Sequence, residues 1–157
     1  MRRLLSGSLM FAGIVYMPVS ISQRQTQTTP APDYSTDPRI ETLRNFFAKA
    51  GCPAMNYVKS FLEAADGYAL DWRLLPSLSF IESTGGKHAL NNNLFGWDSG
   101  RAQFSTPTES IHAVGYRLAH SELYKDKDLD EILTTYNPEA EYGAKVKSVM
   151  RRIAPSE

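Results

Sequence analysis

The stretch that decides the fold is Leu74-Leu75-Pro76-Ser77-Leu78-Ser79-Phe80-Ile81-Glu82-Ser83-Thr84-Gly85-Gly86-Lys87. Apolar residues dominate its first turns, as in a helix buried on most sides, and Gly85 supplies the stop. One carboxylate, Glu82, closes the helix. It faces the negative end of the helix dipole, and Leu78, Phe80 and Ile81 as neighbours take water from it. Both effects favour the protonated acid. Leu70 and Asp71 read as a staple residue and an N-cap for this helix, with Pro76 near its first turns at a cost of about one backbone hydrogen bond.

Outward from this helix the apolar spacing predicts more of the same class. Ile40, Leu43, Phe46, Phe47 and Ala50 fall on one helical face, and Met55, Val58, Phe61, Leu62 and Ala65 on a second, which Gly67 ends. Thr106-Pro107-Thr108-Glu109 has the form of a capping box with proline at the first helical position, leading into Ile111, Val114, Gly115 and Leu118. Asp128 caps a shorter helix with Leu129, Ile132 and Leu133. After Asn137-Pro138 a last helix runs through Tyr142, Val146, Val149, Met150 and Ile153. Between Gly85 and Phe104, rich in Gly and Asn, the reading is irregular loop with at most a short hairpin pairing Leu94 to Trp97 with Ala102 to Phe104. The fold class is therefore mainly α with a short loop or hairpin lobe, and no repeats.

At 157 residues, 42% hydrophobic and 11% aromatic, the chain fills one core. Arg2 and Arg3 precede an uncharged run from Leu4 to Ser22, which reads as an export signal at 1–22, with Ser20 and Ser22 as small residues for cleavage. The alternative is an uncleaved membrane anchor, a weak one because Ser6, Gly7, Ser8 and Pro18 interrupt it. Either way the domain is expected outside the cytoplasm. Residues 23–38, polar and proline-bearing, read as a disordered linker, which leaves 39–157 as the folded domain.

Lysine plus arginine and aspartate plus glutamate both number 17, and without Arg2 and Arg3 the net charge is about −2, which argues against a nucleic-acid partner. Cys52 stands alone, so no intrachain disulfide forms; it reads as a small buried filler. His88, His112 and His120 show no ligand spacing, so neither metal nor cofactor is expected. Lys145, Lys147, Arg151 and Arg152 sit near the end of the last helix, favourable to its dipole, and read as a solvated face with at most weak attraction to anionic wall polymers. No oligomer signal is visible, so a monomer is expected.

A carboxylic acid that keeps its proton near neutral pH can give it to the leaving oxygen of a glycosidic bond. Three motifs in order point the same way: Ile81-Glu82-Ser83-Thr84-Gly85-Gly86-Lys87, Asn92-Asn93-Leu94-Phe95-Gly96-Trp97 and Thr135-Tyr136-Asn137-Pro138, followed by a closing amphipathic helix. Together they resemble the lysozyme-like bacterial N-acetylglucosaminidases of glycoside hydrolase family seventy-three, also called the mannosyl-glycoprotein endo-beta-N-acetylglucosaminidase-like domain, over residues 55–153. The resemblance implies a lysozyme-like helical fold, a groove for peptidoglycan glycan strands, Glu82 as general acid and Tyr136 across the groove. Lytic transglycosylases share the Glu-Ser helix end and compete with the hydrolase reading, as does a wall-binding module without turnover. The interval between Glu82 and Thr106 is shorter than in the fuller hydrolase pattern.

Around Glu82 the residues leave definite alternatives. Asp98, after Phe95-Gly96-Trp97, is the nearest candidate for a second carboxylate, although Asp98-Ser99-Gly100 is also an ordinary turn. Without a second acid, the sugar's own N-acetyl oxygen or its C6 hydroxyl can serve as nucleophile. Tyr136 either stabilises developing positive charge or is a core tyrosine bonded to backbone. Trp97 offers a flat face to a sugar ring, and Phe95 either does the same or anchors the loop. Asn92, Asn93 and Asn137 offer donors and acceptors for hydroxyl and acetamido groups. Gly96 permits a conformation or an approach that a side chain would block.

Overall fold

The computed structural model describes residues 32–155; the export signal or anchor and most of the linker expected from the sequence lie outside them. Six α-helices follow in order, α1 (Pro38–Lys49), α2 (Val58–Gly67), α3 (Leu74–Ser83), α4 (Pro107–His120), α5 (Leu129–Tyr136) and α6 (Tyr142–Ile153), with a 3₁₀ turn at Pro53–Tyr57. The class is mainly helical, with no strand among the described residues. α3 is the axis of the core: Leu74, Leu75, Pro76, Ser77, Leu78, Ser79 and Ser83 are all buried along it. Because it is apolar on nearly every side, it is covered from several directions, with α6 and α2 among its neighbours, while α2 also lies against α4.

Thr106 and Asp128 cap α4 and α5 where the sequence reads caps, although at α4 Glu109 Oε2 accepts from the Ser105 amide, so the box expected there is not closed on Thr106. Thr106 accepts from the Glu109 amide with Pro107 behind it, and Asp128 and Glu131 exchange both bonds of a capping box. The start of α3 shifts. Asp71 accepts from the Arg73 amide at 2.9 Å, so it caps a turn before the helix, which begins at Leu74. Pro76 thus falls among the first residues of the helix, whose amides have no intrahelical acceptor, and no backbone bond is lost.

Gly67 is the last residue of α2, where the sequence ends that helix, and Ala69, at φ +53°, takes the left-handed turn beyond it. Two other expectations are corrected. Met55 belongs to the 3₁₀ turn and is 40% exposed, because Pro53 starts that turn and delays α2 to Val58. The folded part also begins before residue 39. Tyr34 is buried and donates to Asp66 Oδ2 at 3.0 Å, and Asp37 caps α1 with Pro38 at its first position. Arg39 bonds both Asp37 and Asp66, which ties this entry segment to α2.

α3 ends in a left-handed turn that opens at Thr84, φ +54°, and continues through Gly85 and Gly86. The Gly85 amide donates to Ser79 O at 3.0 Å. A Cβ at Gly85 would stand 2.8 Å from Cys52 Cβ, so this position needs glycine for both its conformation and its contact. Gly85→Ala is expected to lower stability by about 1–3 kcal/mol, read as a lower urea midpoint at unchanged slope. An unchanged midpoint would contradict this account of the helix stop.

Candidate active site

Two successive residues at the end of α3 do different work. Ser83 is buried, and its hydroxyl proton lies between Leu94 O at 2.8 Å and Ser79 O at 3.1 Å while its oxygen accepts from the Gly86 amide at 2.9 Å. That hydroxyl fastens the loop that follows to the helix it leaves. Glu82, one residue earlier, points into the space the loop encloses.

The loop is organised by Asn93, which is buried. Its Oδ1 accepts from the Trp97 amide at 3.0 Å and, more weakly, from the Phe95 amide at 3.4 Å, while its Nδ2 donates to Trp97 O and Ala102 O. Asn92 Nδ2 donates to Phe104 O at 2.9 Å and Ser105 O at 3.2 Å. These side chains satisfy backbone groups that a strand ladder would otherwise pair. Asn91, Asn92, Gly96, Asp98, Ser99 and Gly100 all take positive φ, which breaks the extended path between Leu94 and Phe104. The expected hairpin is accordingly a side-chain-bonded loop. Asn92 and Asn93, expected to bind sugar, are occupied in building it.

The loop forms one wall of a cleft of about 330 Å³ lined by Glu82, Phe95, Gly96, Trp97, Asp98, Ser99, Tyr124, Tyr136 and Asn137. Glu82 and Gly96 also line a smaller recess of about 80 Å³, with His88 and Leu90, so the carboxyl stands at the divide between two hollows. Gly96, at φ +59°, lets the loop pass close: a Cβ there would lie 3.3 Å from Glu82 Oε2. The expectation of a close approach at Gly96 thus acquires a partner.

The tyrosine on the carboxyl is not the expected one. Tyr136 donates its hydroxyl to Phe95 O at 2.9 Å and so pins the loop to α5. Tyr142, at the start of α6, is buried and donates to Glu82 Oε1 at 2.5 Å. The two phenol rings stack, with centroids 5.9 Å apart at 11°, and Trp97 meets Tyr136 edge-on at 5.7 Å. From sequence Tyr142 is one more core position of an amphipathic helix; its hydroxyl was the overlooked signal.

Glu82 stays open to the cleft but is surrounded closely enough that desolvation is the largest influence on it, raising its pKa above the ordinary 4.5. The Tyr142 hydrogen bond opposes this by favouring the anion, and the charge of Glu139 adds to the rise. Burial wins. Phe80, expected to take water from Glu82, turns away to pack on Phe46 with centroids 5.1 Å apart, while loop residues and Tyr136 line the cleft that Glu82 faces. Tyr136 and Tyr142 are both raised far above their usual range, burial being the chief cause, and so remain hydroxyl donors.

The remaining residues fall as follows. Phe95 is fully buried and anchors the loop. Trp97 lines the cleft, but the Arg117 guanidinium sits 5.2 Å from its ring centroid. Asp98 is on the cleft wall at φ +53° and is paired with Arg101 at 2.7 Å in an exposed turn. Asn137 lines the cleft and accepts from the Glu139 amide at 2.9 Å. The carboxylate whose charge reaches Glu82 is Glu139, two residues beyond the Tyr-Asn motif, rather than Asp98. No group of three or more His, Cys, Asp or Glu placed to hold a metal ion is found among the described residues. The chain matches no protein-family model, no curated protein and no solved structure.

A raised carboxyl pKa has a sign in stability. Between 4.5 and its folded value Glu82 binds more proton in the folded state than in the unfolded one, so its contribution is full below the unfolded pKa and is lost as pH rises through the folded one. The stability of Glu82→Gln minus that of the wild type, from urea unfolding at a series of pH values, is therefore expected to grow as pH rises across that window. A flat difference would show that Glu82 titrates alike in both states.

Proposed function

We propose that this chain is an exported peptidoglycan hydrolase with a lysozyme-like helical fold, of the glycoside hydrolase family seventy-three kind. It cleaves the β-1,4 bond after N-acetylglucosamine in the glycan strand, with Glu82 as general acid. The observation that carries this reading is a carboxyl that faces a cleft and holds its proton above the ordinary range while a buried tyrosine fixes one of its oxygens. The hollows on either side of Glu82 give a chain substrate room on both sides of the bond to be cut.

Tyr142 bonds Oε1, so the transferable proton belongs on Oε2, the oxygen beside Gly96. Glu82 gives that proton to the glycosidic oxygen as the bond from the anomeric carbon breaks, leaving oxocarbenium character on the sugar and an ionised carboxylate. Water then adds to the anomeric carbon, and its proton restores the acid. The partner is the glycan strand, no cofactor takes part, and the site is complete within one copy of the chain.

A second reading rests on Asp98. Paired with Arg101 in an exposed turn, it is poorly disposed as a base, which favours one-acid chemistry, with the substrate's N-acetyl oxygen or its C6 hydroxyl as nucleophile. The C6 route makes the enzyme a lytic transglycosylase. Mass spectrometry of digested sacculi separates the readings, because anhydro-muramic ends arise only from the C6 route and new reducing N-acetylglucosamine ends from hydrolysis.

Glu82→Gln is expected to reduce cleavage of purified peptidoglycan by about 10²–10⁴-fold with binding to sacculi retained. In the wild type the rate is expected to fall as pH rises through the raised Glu82 pKa, because only the protonated form donates. Equal turnover by both proteins would remove Glu82 as the general acid, and no turnover by either while both bind sacculi would defeat the enzyme reading and leave a wall-binding module.

A further inference from the structure

A concavity of about 630 Å³, larger than the cleft of about 330 Å³, lies where the C-terminal ends of α1 and α6 meet, lined by Thr42, Asn45, Phe46, Lys49, Ala50, Arg152 and Ile153. No acidic residue lines it. We infer that this concavity is a binding site for a phosphate ester, with Lys49 and Arg152 as its cationic contacts.

Arg152 is held between ring faces. Its guanidinium lies 5.6 Å from the Phe46 ring centroid and 5.4 Å from that of Phe80, so two aromatic faces fix its position. Among the described residues no carboxylate or carbonyl accepts from its N–H donors. The two lysines of the same helix are spent: Lys145 pairs with Glu141 and Lys147 with Asp130. A guanidinium positioned by ring faces with its donor fork unspent is arranged for a planar or tetrahedral oxyanion. Lys49 brings a second positive charge to the same hollow with no ion pair among the described residues.

Helix C-termini carry partial negative charge, which opposes an anion here. In this structure both ends are answered by other cations. Lys87 Nζ donates to Ala50 O at 2.7 Å, just beyond α1, and Arg73 Nη1 donates to Ala154 O at 3.0 Å, just beyond α6. The charged side chains that line the hollow are Lys49 and Arg152. Two cations match the charge of about −1.5 to −2 on a phosphate monoester better than the single charge of a carboxylate. The hollow is also larger than a bare phosphate, and Thr42, Asn45 and the Phe46 ring offer polar and apolar surface to a small polyol or sugar carrying it. The phosphate can come from a soluble ester or from a lipid headgroup, and the site recognises the chemistry the two share.

The test is a titration of the full chain followed by backbone amide NMR, with glycerol 3-phosphate as the soluble probe and phosphatidic acid vesicles, whose headgroup is also a phosphate monoester, as the membrane probe. Saturable shifts at Asn45, Ala50 and Ile153 are expected, with affinity at least about tenfold weaker in Lys49→Gln/Arg152→Gln and several-fold weaker in Lys49→Gln alone. The single variant keeps the Arg152 packing on Phe46 and Phe80, so loss of fold cannot imitate loss of binding. A response to vesicles alone assigns the headgroup as the source. The inference is overturned if neither probe moves these amides, if the variants respond as the wild type does, or if acetate moves the same amides with equal affinity. Glu82→Gln is expected to bind both probes unchanged, so this result is independent of the catalytic one.

Discussion

A hydroxyl from the first turn of α6 meets a carboxyl from the last turn of α3, at 2.5 Å, and the arrangement of the site follows from holding those two helix ends together. Tyr142 takes one oxygen of Glu82. The other oxygen faces Gly96, where the loop after α3 passes within a distance that only a hydrogen in place of a side chain allows comfortably. The loop can pass there because Ser83 bonds Leu94 and Tyr136 bonds Phe95, fixing it from α3 and from α5. The position of the acid is thus set by three helices and a loop whose own backbone is satisfied by Asn93.

The electrostatics are a contest with a definite winner. A short hydrogen bond from a tyrosine favours the carboxylate, and in water it would lower the pKa. Here the same packing that brings Tyr142 and Tyr136 close removes solvent from the carboxyl, and desolvation is the larger effect. The stacked phenols, both with pKa values pushed far up by burial, cannot answer by ionising. The carboxyl stays accessible from the cleft, while its charged form is disfavoured by its partial burial.

The helices were legible because their signals are local. An apolar run, a threonine followed by proline, and an aspartate three residues before a glutamate each specify an element without reference to the rest of the chain. Glu82 was legible for the same reason, as a lone carboxylate at an apolar helix end. The loop was not. Asn93 reads from sequence as an exposed polar residue fit for a ligand, and only the folded chain shows its amide bonded to both ends of the loop. Tyr142 was hidden by its spacing, since a tyrosine on the buried face of α6 matches the core pattern whether or not its hydroxyl finds a partner. Met55 was misplaced because Pro53 starts a 3₁₀ segment, a local choice that apolar spacing does not register. Tyr34 reads as linker until Asp66, far along the chain, gives its hydroxyl a partner.

The central claim is that the side chain of Glu82 keeps its proton beyond the ordinary carboxyl range against the pull of Tyr142. Carbon-13 NMR titration of the Glu82 carboxyl in the wild type and in Tyr142→Phe tests it most directly. The account predicts a midpoint above 4.5 in the wild type and a higher one in the variant, where the bond that favours the anion is gone. A wild-type midpoint at or below 4.5, or a midpoint that falls on losing the tyrosine hydroxyl, would contradict it.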